Sequence, residues 1–178
     1  MEPEGTGPMI TIRHARREDV VALAVIGMRA WEQAVTGLAD LDRLREAVRD
    51  AFIVFLNRQW LTVTVAEKGG MLAGWAAREE LDDQITDLWV EPSLQRQGVG
   101  SALLAAIEAE MLAADYEAAG LQTHARNVAA LEFFRKHGYT VNWLSVAYSP
   151  KMDRDIESVG LKRQLVEDVP VGYGPGGF

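Results

Sequence analysis

The 178-residue sequence contains no cysteine, and acidic side chains outnumber basic ones. Without cysteine the chain cannot form disulfides, use a cysteine nucleophile or hold zinc through thiolates. The formal net charge is -8, from 18 Lys and Arg against 26 Asp and Glu. Since proteins that bind nucleic acids or anionic membranes carry basic surfaces, both function classes are disfavoured.

Long hydrophobic runs are also lacking. The longest apolar stretches, residues 20–28 and 51–56, are far too short to span a bilayer. The first residues are acidic and do not resemble a secretory leader. We therefore expect a soluble protein of the cytoplasm, with no membrane partner. Three scattered histidines and no cysteine give no recognisable metal-binding cluster, so we expect no metal.

The composition is that of an ordinary globular protein, with 48% hydrophobic and 25% charged residues. The length suggests one domain. We divide the chain into a loose leader (1–8), a single domain (9–166) and a tail rich in Gly and Pro (167–178).

Hydrophobic periodicity predicts an alternation of strands and helices. The order is strand, two helices, three strands, helix, strand, helix and two strands, which indicates a mixed α/β fold. The predicted strands are 9–14, 61–66, 71–78, 84–90, 120–124, 139–148 and 160–165. The predicted helices run from 16–19 to 36–37, from near 40 or 42, from near 98–100, and from the N-cap Asn127 to Gly138.

A glycine-containing turn between the strand 84–90 and the next helix carries the strongest chemical signal. Glycines allow a ligand to approach the backbone, and the free amides and dipole of a helix start favour an anion such as a diphosphate. Two common phosphate motifs do not fit. Gly100 is followed by Ser101 and Ala102 rather than by the Lys-Ser/Thr of a P-loop, and Leu103 replaces the third glycine of the dinucleotide fingerprint.

Two segments together resemble a known family. The first reads Gln95-Arg-Gln-Gly-Val-Gly-Ser101 and resembles the Gln/Arg-x-x-Gly-x-Gly/Ala motif of the GNAT superfamily of N-acetyltransferases; Leu-x-Val-x-Pro (88–92) precedes it. The second reads Asn127-Val-Ala-Ala-Leu-Glu-Phe-Phe-Arg-Lys-His-Gly-Tyr139. It is similar to that family's Asn-x-x-Ala-x-x-Phe-Tyr-x-Lys-x-Gly-Phe segment.

The resemblance implies a fold and a reaction. The expected fold is mixed α/β (α+β): a mostly antiparallel seven-stranded sheet, four main helices on both faces, and strands 84–90 and 120–124 splayed apart. The expected reaction is transfer of an acetyl group from acetyl-CoA to a primary amine of a small molecule, peptide or protein, by direct attack in a ternary complex. The alternatives are a non-catalytic acyl-CoA-binding sensor or interaction module and, more weakly, a site for another nucleotide. The expected assembly is a monomer or a homodimer.

The resemblance also assigns cofactor-binding residues. The backbone of residues 88–90 would bind the thioester and the pantetheine arm, and the amides of 96–101 would hold the diphosphate. Arg96, Arg135 or Lys136 would meet the 3′-phosphate by charge. The full set is Leu88, Trp89, Val90, Gln95, Arg96, Gln97, Gly98, Val99, Gly100, Ser101, Asn127, Ala130, Phe133, Phe134 and Lys136.

Three catalytic positions of the family lack an acid or base here. Phe134 replaces the usual tyrosine that protonates the departing thiolate, and Gln122 and Gln84 occupy positions where some members have glutamate. The substitute candidates for the base or amine anchor are Asp87, Glu80 and Glu79. Alternation along a strand places Asp87 with Ile85 and Trp89, opposite Leu88 and Val90.

The resemblance indicates where the acceptor amine binds. The first two helices usually cover that site, which makes Trp31 a candidate substrate-binding residue. Trp75, on a predicted strand, is a second candidate for the pocket wall. His124, beside Gln122, is a candidate proton relay.

Overall fold

The computed structural model describes residues 7–37, 40–149 and 154–167. They form eight strands and four helices, with short 3-10 turns between some of them. The strands are β1 (Ile10–His14), β2 (Thr64–Lys68), β3 (Met71–Ala77), β4 (Gln84–Ile85), β5 (Asp87–Val90), β6 (Ala118–His124), β7 (Thr140–Ser149) and β8 (Arg154–Gln164). The helices are α1 (Val20–Val35), α2 (Leu41–Gln59), α3 (Val99–Ala113) and α4 (Val128–Lys136).

The strands form two four-stranded sheets, in the orders β1-β2-β3-β5 and β4-β6-β8-β7. All pairs are antiparallel except β4 with β6, which run parallel through Gln84–Gly120 and Ile85–Leu121. The predicted mixed, mostly antiparallel architecture is confirmed. Because β4 belongs to one sheet and β5 to the other, the two sheets diverge from this point.

The predicted strand 84–90 is divided at Thr86, which makes eight strands rather than seven. Ile85 packs in the same hydrophobic cluster as Leu88, whereas Trp89 packs in the cluster on the other face. Simple alternation therefore fails at Thr86, and Ile85 does not share a face with Trp89 as predicted. The division is the splay expected between residues 84–90 and 120–124.

Two other predicted strand boundaries are wrong. Residues 60–62 form a 3-10 turn, so β2 begins at Thr64. Thr64, Val65 and Ala66 are all buried, although alternation predicted a half-buried strand; β2 is an inner strand, and both of its faces are covered. β8 begins six residues before the predicted 160, because it pairs with the whole of β7.

Helices cover the first sheet on both faces. One hydrophobic cluster joins α1 and α2 to residues such as Val65 and Trp75. The other joins α3 and α4 to Ala66, Ala76 and Leu121. The predicted four helices on both faces are confirmed. Most of the predicted leader and almost all of the predicted tail lie outside the described residues.

Candidate functional site

The turn before α3 is shaped to bind an anion. Arg96 has φ +63° and Gly98 has φ +89°, so the chain turns sharply and α3 begins directly after Gly98. The first helical hydrogen bond runs from the Ala102 N–H to the Gly98 carbonyl, at 3.0 Å. The amides of residues 99–101 therefore have no acceptor within the helix. Together with the helix dipole they favour a bound phosphate.

Helix α4 covers this turn from one side. A Cβ atom added to Gly100 would lie 3.2 Å from the Phe133 ring and 3.7 Å from Val90 Cγ2. A side chain at this position would require the Phe133 ring to shift by a few tenths of an ångström. The absence of a side chain at Gly100 thus lets α3 and α4 approach each other beside the free amides.

A serine–histidine pair also joins the two helices. Ser101 Oγ lies 2.9 Å from His137 Nε2, and His137 Nδ1 lies 2.7 Å from the Phe133 carbonyl oxygen. The imidazole lies against the Phe133 ring, with 4.4 Å between ring centroids. Sequence reasoning did not assign His137 to the site. The one signal for it was a histidine at the end of the helix that carries the second motif.

Several cations surround the turn. Arg96, Arg135 and Lys136 are exposed, as their suggested role toward a 3′-phosphate requires. Lys68, at the end of β2, donates a hydrogen bond to the Gln97 side chain. Gln95 donates from Nε2 to the Val90 carbonyl oxygen at 3.3 Å, which connects the turn to the end of β5.

The second motif begins with a helix cap. Asn127 Oδ1 accepts a hydrogen bond from the Ala130 N–H at 3.2 Å, so Asn127 is the predicted N-cap of α4. Ala130 and Phe133 are half-buried against the core. Phe134 is only 6% exposed and meets the Tyr139 ring edge-on, with 5.2 Å between centroids.

Tyr139 is not free to replace the missing acid. It is buried, and its hydroxyl donates to Glu108 Oε1 at 2.9 Å. Arg163 binds both oxygens of the same carboxylate, at 3.0 and 2.9 Å. Burial, and then the Glu108 charge, raise the pKa of Tyr139 above its ordinary value. The phenol therefore connects β7 and β8 to α3 and has a structural role.

We expect Tyr139→Phe to lower stability without changing the turnover rate of the folded protein. Loss of one hydrogen bond to a carboxylate that keeps its arginine partner costs about 1 kcal/mol of unfolding free energy. That corresponds to a few degrees in Tm. Thermal unfolding and steady-state rates measure the two quantities, with Tyr116→Phe as the matched control. A large loss of turnover at unchanged Tm would instead indicate that the Tyr139 phenol is the acid that protonates the departing thiolate.

A cleft opens where the two sheets diverge. Its volume is about 470 Å³, and it is lined by Gln84, Ile85, Thr86, Gln122, Thr123, His124, Ile156 and Ser158. Gln84 and Gln122, which occupy two of the family's acid positions, thus lie at one opening. The contribution of β8 was not foreseen, because nothing local in its sequence signals it.

Asp87 follows Thr86, a lining residue of this cleft, in the chain. Its carboxylate accepts hydrogen bonds from Trp89 Nε1 at 2.9 Å and from the Thr86 hydroxyl at 3.0 Å. Burial raises the pKa of Asp87, and the negative charge of Glu79 adds to the rise, although both hydrogen bonds act in the opposite direction. Thr86 itself lines the cleft. Asp87 is therefore a desolvated carboxylate one hydroxyl away from the cleft.

Glu79 and Glu80 lie on an exposed turn. The Glu79 N–H donates to Thr86 Oγ1 at 3.1 Å. Arg78, buried at the end of β3, donates to the carbonyl oxygens of Leu81 and Asp82 at 3.1 and 2.7 Å. The turn is thereby held beside Thr86 and Asp87, while the side chains of its glutamates face solvent.

The two tryptophans predicted for the acceptor pocket lie in different surroundings. Trp75 is fully buried, and its Nε1 donates to the Leu23 carbonyl oxygen at 2.9 Å. It belongs to the core rather than to a pocket wall, because α1 and α2 pack directly over β3. Trp31 is half-buried at the edge of the same cluster. His124 lines the cleft, and its Nδ1 accepts a hydrogen bond from the Arg126 N–H at 3.0 Å.

No group of three or more His, Asp or Glu side chains is placed to hold a metal ion in the part of the chain that the structure describes. No helix among the described residues combines the length and apolarity that a membrane crossing requires.

Comparisons with known proteins agree on the architecture. The model of the acetyltransferase (GNAT) family matches residues 25–139, well over half of the chain. No curated protein matches the sequence.

Solved structures share the fold at low identity. The PaiA N-acetyltransferase from Thermoplasma acidophilum, solved in complex with coenzyme A, superimposes with a TM-score of 0.65 at 17% identity, covering 88% of this chain and 99% of its own. The putative acetyltransferase YncA from Salmonella typhimurium, solved with acetyl-CoA, gives 0.64 at 21%, covering 93% and 99%. The ribosomal-protein-S18-alanine N-acetyltransferase from Escherichia coli gives 0.67 at 21%, covering 93% and 100%.

Proposed function

Because this chain belongs to the acetyltransferase (GNAT) family, we propose that it transfers the acetyl group of acetyl-CoA to a primary amine, by direct attack within a ternary complex. The observation that carries the proposal is the continuity of two sites along β5. The strand begins at the cleft, next to Thr86, and ends at the turn that exposes the amides of residues 99–101. A donor bound along β5 would therefore have its diphosphate at α3 and its thioester at the cleft.

The donor is held mainly by backbone in this proposal. β5 is an edge strand of its sheet, so one side of its backbone is available to the amide groups of a pantetheine arm. The amides of α3 and the exposed cations near them would bind the phosphates. A backbone amide near Val90 would stabilise the tetrahedral oxyanion, in line with the family resemblance.

Asp87 is the proposed general base. The attacking amine would give its proton to Thr86 Oγ while the Thr86 hydroxyl proton passes to Asp87 Oδ2, 3.0 Å away. The neutral nitrogen then forms a bond to the acetyl carbon and the carbon–sulfur bond breaks, and the second proton of the nitrogen passes to the departing thiolate or to water. A carboxylate with a raised pKa is a stronger base than an exposed one, which suits this step.

The leaving group needs no acid. A thiol has a pKa near ~8.5, so a CoA thiolate is a tolerable leaving group at neutral pH. This is compatible with a phenylalanine at position 134 and with a Tyr139 hydroxyl that is already bonded to Glu108.

An amine with a low pKa is the proposed acceptor class. An α-amino group with a pKa near ~8 is largely charged at pH 7, but neutralising it costs only about 1.4 kcal/mol. A lysine-like amine with a pKa near ~10.4 costs roughly 4–5 kcal/mol. With one weak base behind the cleft, α-amines of small molecules or peptides are favoured over lysine-like amines.

Calorimetric titration followed by an amine screen tests the proposal. We expect acetyl-CoA and CoA to bind with micromolar Kd, and α-amines to release CoA from acetyl-CoA faster than polyamines do. Binding without turnover on any amine would support the non-catalytic acyl-CoA sensor. No binding at millimolar ligand would overturn the donor site.

A further inference from the structure

We infer that His137 takes up a proton when the diphosphate of the cofactor binds, and that Ser101 transmits this change to the anion. The inference rests on the proposed acyl-CoA site and adds a residue to it. Sequence reasoning did not place His137 in the cofactor site, yet the structure joins it to Ser101, in the first turn of α3.

The contacts of the imidazole define its neutral tautomer. The Phe133 carbonyl oxygen can only accept a hydrogen bond, so His137 Nδ1, 2.7 Å away, carries the proton. Nε2 of the neutral ring is then an acceptor. The Ser101 hydroxyl, 2.9 Å from it, must donate its proton to the ring. In this state the hydroxyl proton is directed at His137 and does not point toward an anion.

Protonation reverses this hydrogen bond. In the imidazolium form both ring nitrogens are donors, so Nε2–H donates to Ser101 Oγ and Nδ1–H still donates to Phe133. The serine proton is then free to point toward a phosphate oxygen at the start of α3. A bound anion therefore favours the protonated ring for two reasons. It accepts the hydrogen bond that the Ser101 hydroxyl can then donate, and its negative charge attracts the imidazolium.

Charged groups of both signs lie on the elements that meet at His137. Arg135 and Lys136 precede it on α4, and Arg96 lies on the turn before α3. On α3, Glu108 is paired with Arg163 of β8 at 2.9 Å, so its charge is already compensated. Glu132, also on α4, is exposed. An incoming diphosphate would add negative charge beside Ser101, and this favours the protonated ring.

The consequence is a pH-dependent affinity for the cofactor. Histidine is the side chain whose charge changes between pH 5 and 8. Because binding is coupled to proton uptake, affinity rises as the pH falls through that range. A charge-assisted hydrogen bond of this kind contributes roughly a tenfold change in Kd.

Titration with dephospho-CoA tests the inference. This probe carries the diphosphate but lacks the 3′-phosphate, a monoester that itself titrates near pH ~6. We expect wild-type protein to bind it about tenfold more tightly at pH 6 than at pH 8. We also expect net proton uptake near pH 7, measured by calorimetry in two non-phosphate buffers with different ionisation enthalpies.

Two variants and one control test whether the proton uptake and the pH dependence come from Ser101 and His137. His137→Gln should lose both the proton uptake and the pH dependence, whereas His14→Gln, at an exposed histidine on β1, should keep both. Ser101→Ala should weaken binding more at pH 6, where the hydroxyl is free to donate, than at pH 8. The wild-type proton uptake needs no variant and keeps the test decisive if His137→Gln folds poorly.

The same titrations distinguish a failure of the His137 inference from a failure of the proposed donor site. Micromolar binding by wild type without proton uptake, or uptake that persists in His137→Gln, would overturn the inference and leave the proposed function intact. No binding of dephospho-CoA, CoA or acetyl-CoA at either pH would overturn the proposed donor site itself.

Discussion

Gly100→Asp is expected to abolish CoA binding, raising Kd by at least about 100-fold. Its Cβ atom would lie 3.2 Å from the Phe133 ring, which must shift to accept it. Its carboxylate would stand among the amides that we propose to hold the diphosphate. Two like charges about 4 Å apart repel by about 4 kcal/mol at an effective dielectric constant near 20, more than a 100-fold change in Kd requires.

Gly100→Ala and Gly100→Asn separate the steric effect from the charge. Alanine adds only the Cβ contact and should weaken binding modestly, asparagine should weaken it further, and aspartate most of all. Calorimetry gives the three Kd values, and circular dichroism with thermal unfolding checks that each variant is folded. If the folded Gly100→Asp variant and the wild-type protein had equal Kd values, the diphosphate would not bind at this turn.

Asp87→Asn is expected to lower kcat by about 100- to 1,000-fold, the range of a lost general base. Asparagine has nearly the same shape as aspartate, so the KM for acetyl-CoA should change little. In wild type, kcat/KM should rise as the pH passes the pKa of Asp87, which burial raises. This rise should disappear in the variant, because an amide does not titrate.

Thr86→Val and Asp115→Asn complete this test. Valine at position 86 keeps the shape but removes the hydroxyl between the cleft and Asp87, so kcat should fall by a similar factor. Asp115, exposed and in the left-handed region at φ 64°, is a matched control, because asparagine tolerates that conformation. Full activity in a folded Asp87→Asn variant would show that Asp87 is not the general base. Glu79 and Glu80 would then be the candidates, to be tested through their glutamine variants.

Local sequence was sufficient for most elements and for the turn that we propose as the donor site. The helical spacing of apolar residues located α1 and α2, and the side chain of Asn127 caps α4 as predicted. Gly98, in the left-handed region, precedes the first turn of α3 as the motif required. These features depend on residues close together in the chain, so their physical causes are visible in the sequence.

The cleft that we propose for the acceptor was decided by tertiary structure. Residues 84–90 read as one alternating strand, but β4 pairs with β6 and β5 pairs with β3, and this division at Thr86 creates the cleft. Burial behind that division raises the pKa of Asp87, which no local pattern reports. Trp75 likewise became core only because α1 and α2 pack over β3.

The sequence by itself determined a mixed α/β fold through short-range periodicity, and two motifs added the resemblance to the GNAT family and the turn that we propose as the diphosphate site. The tertiary structure alone brought Ser101 to His137, 36 positions later in the chain, and turned Asp87 into a desolvated carboxylate behind Thr86. Pairings and burial of this kind depend on how distant segments pack. Periodicity within one segment carries no information about them.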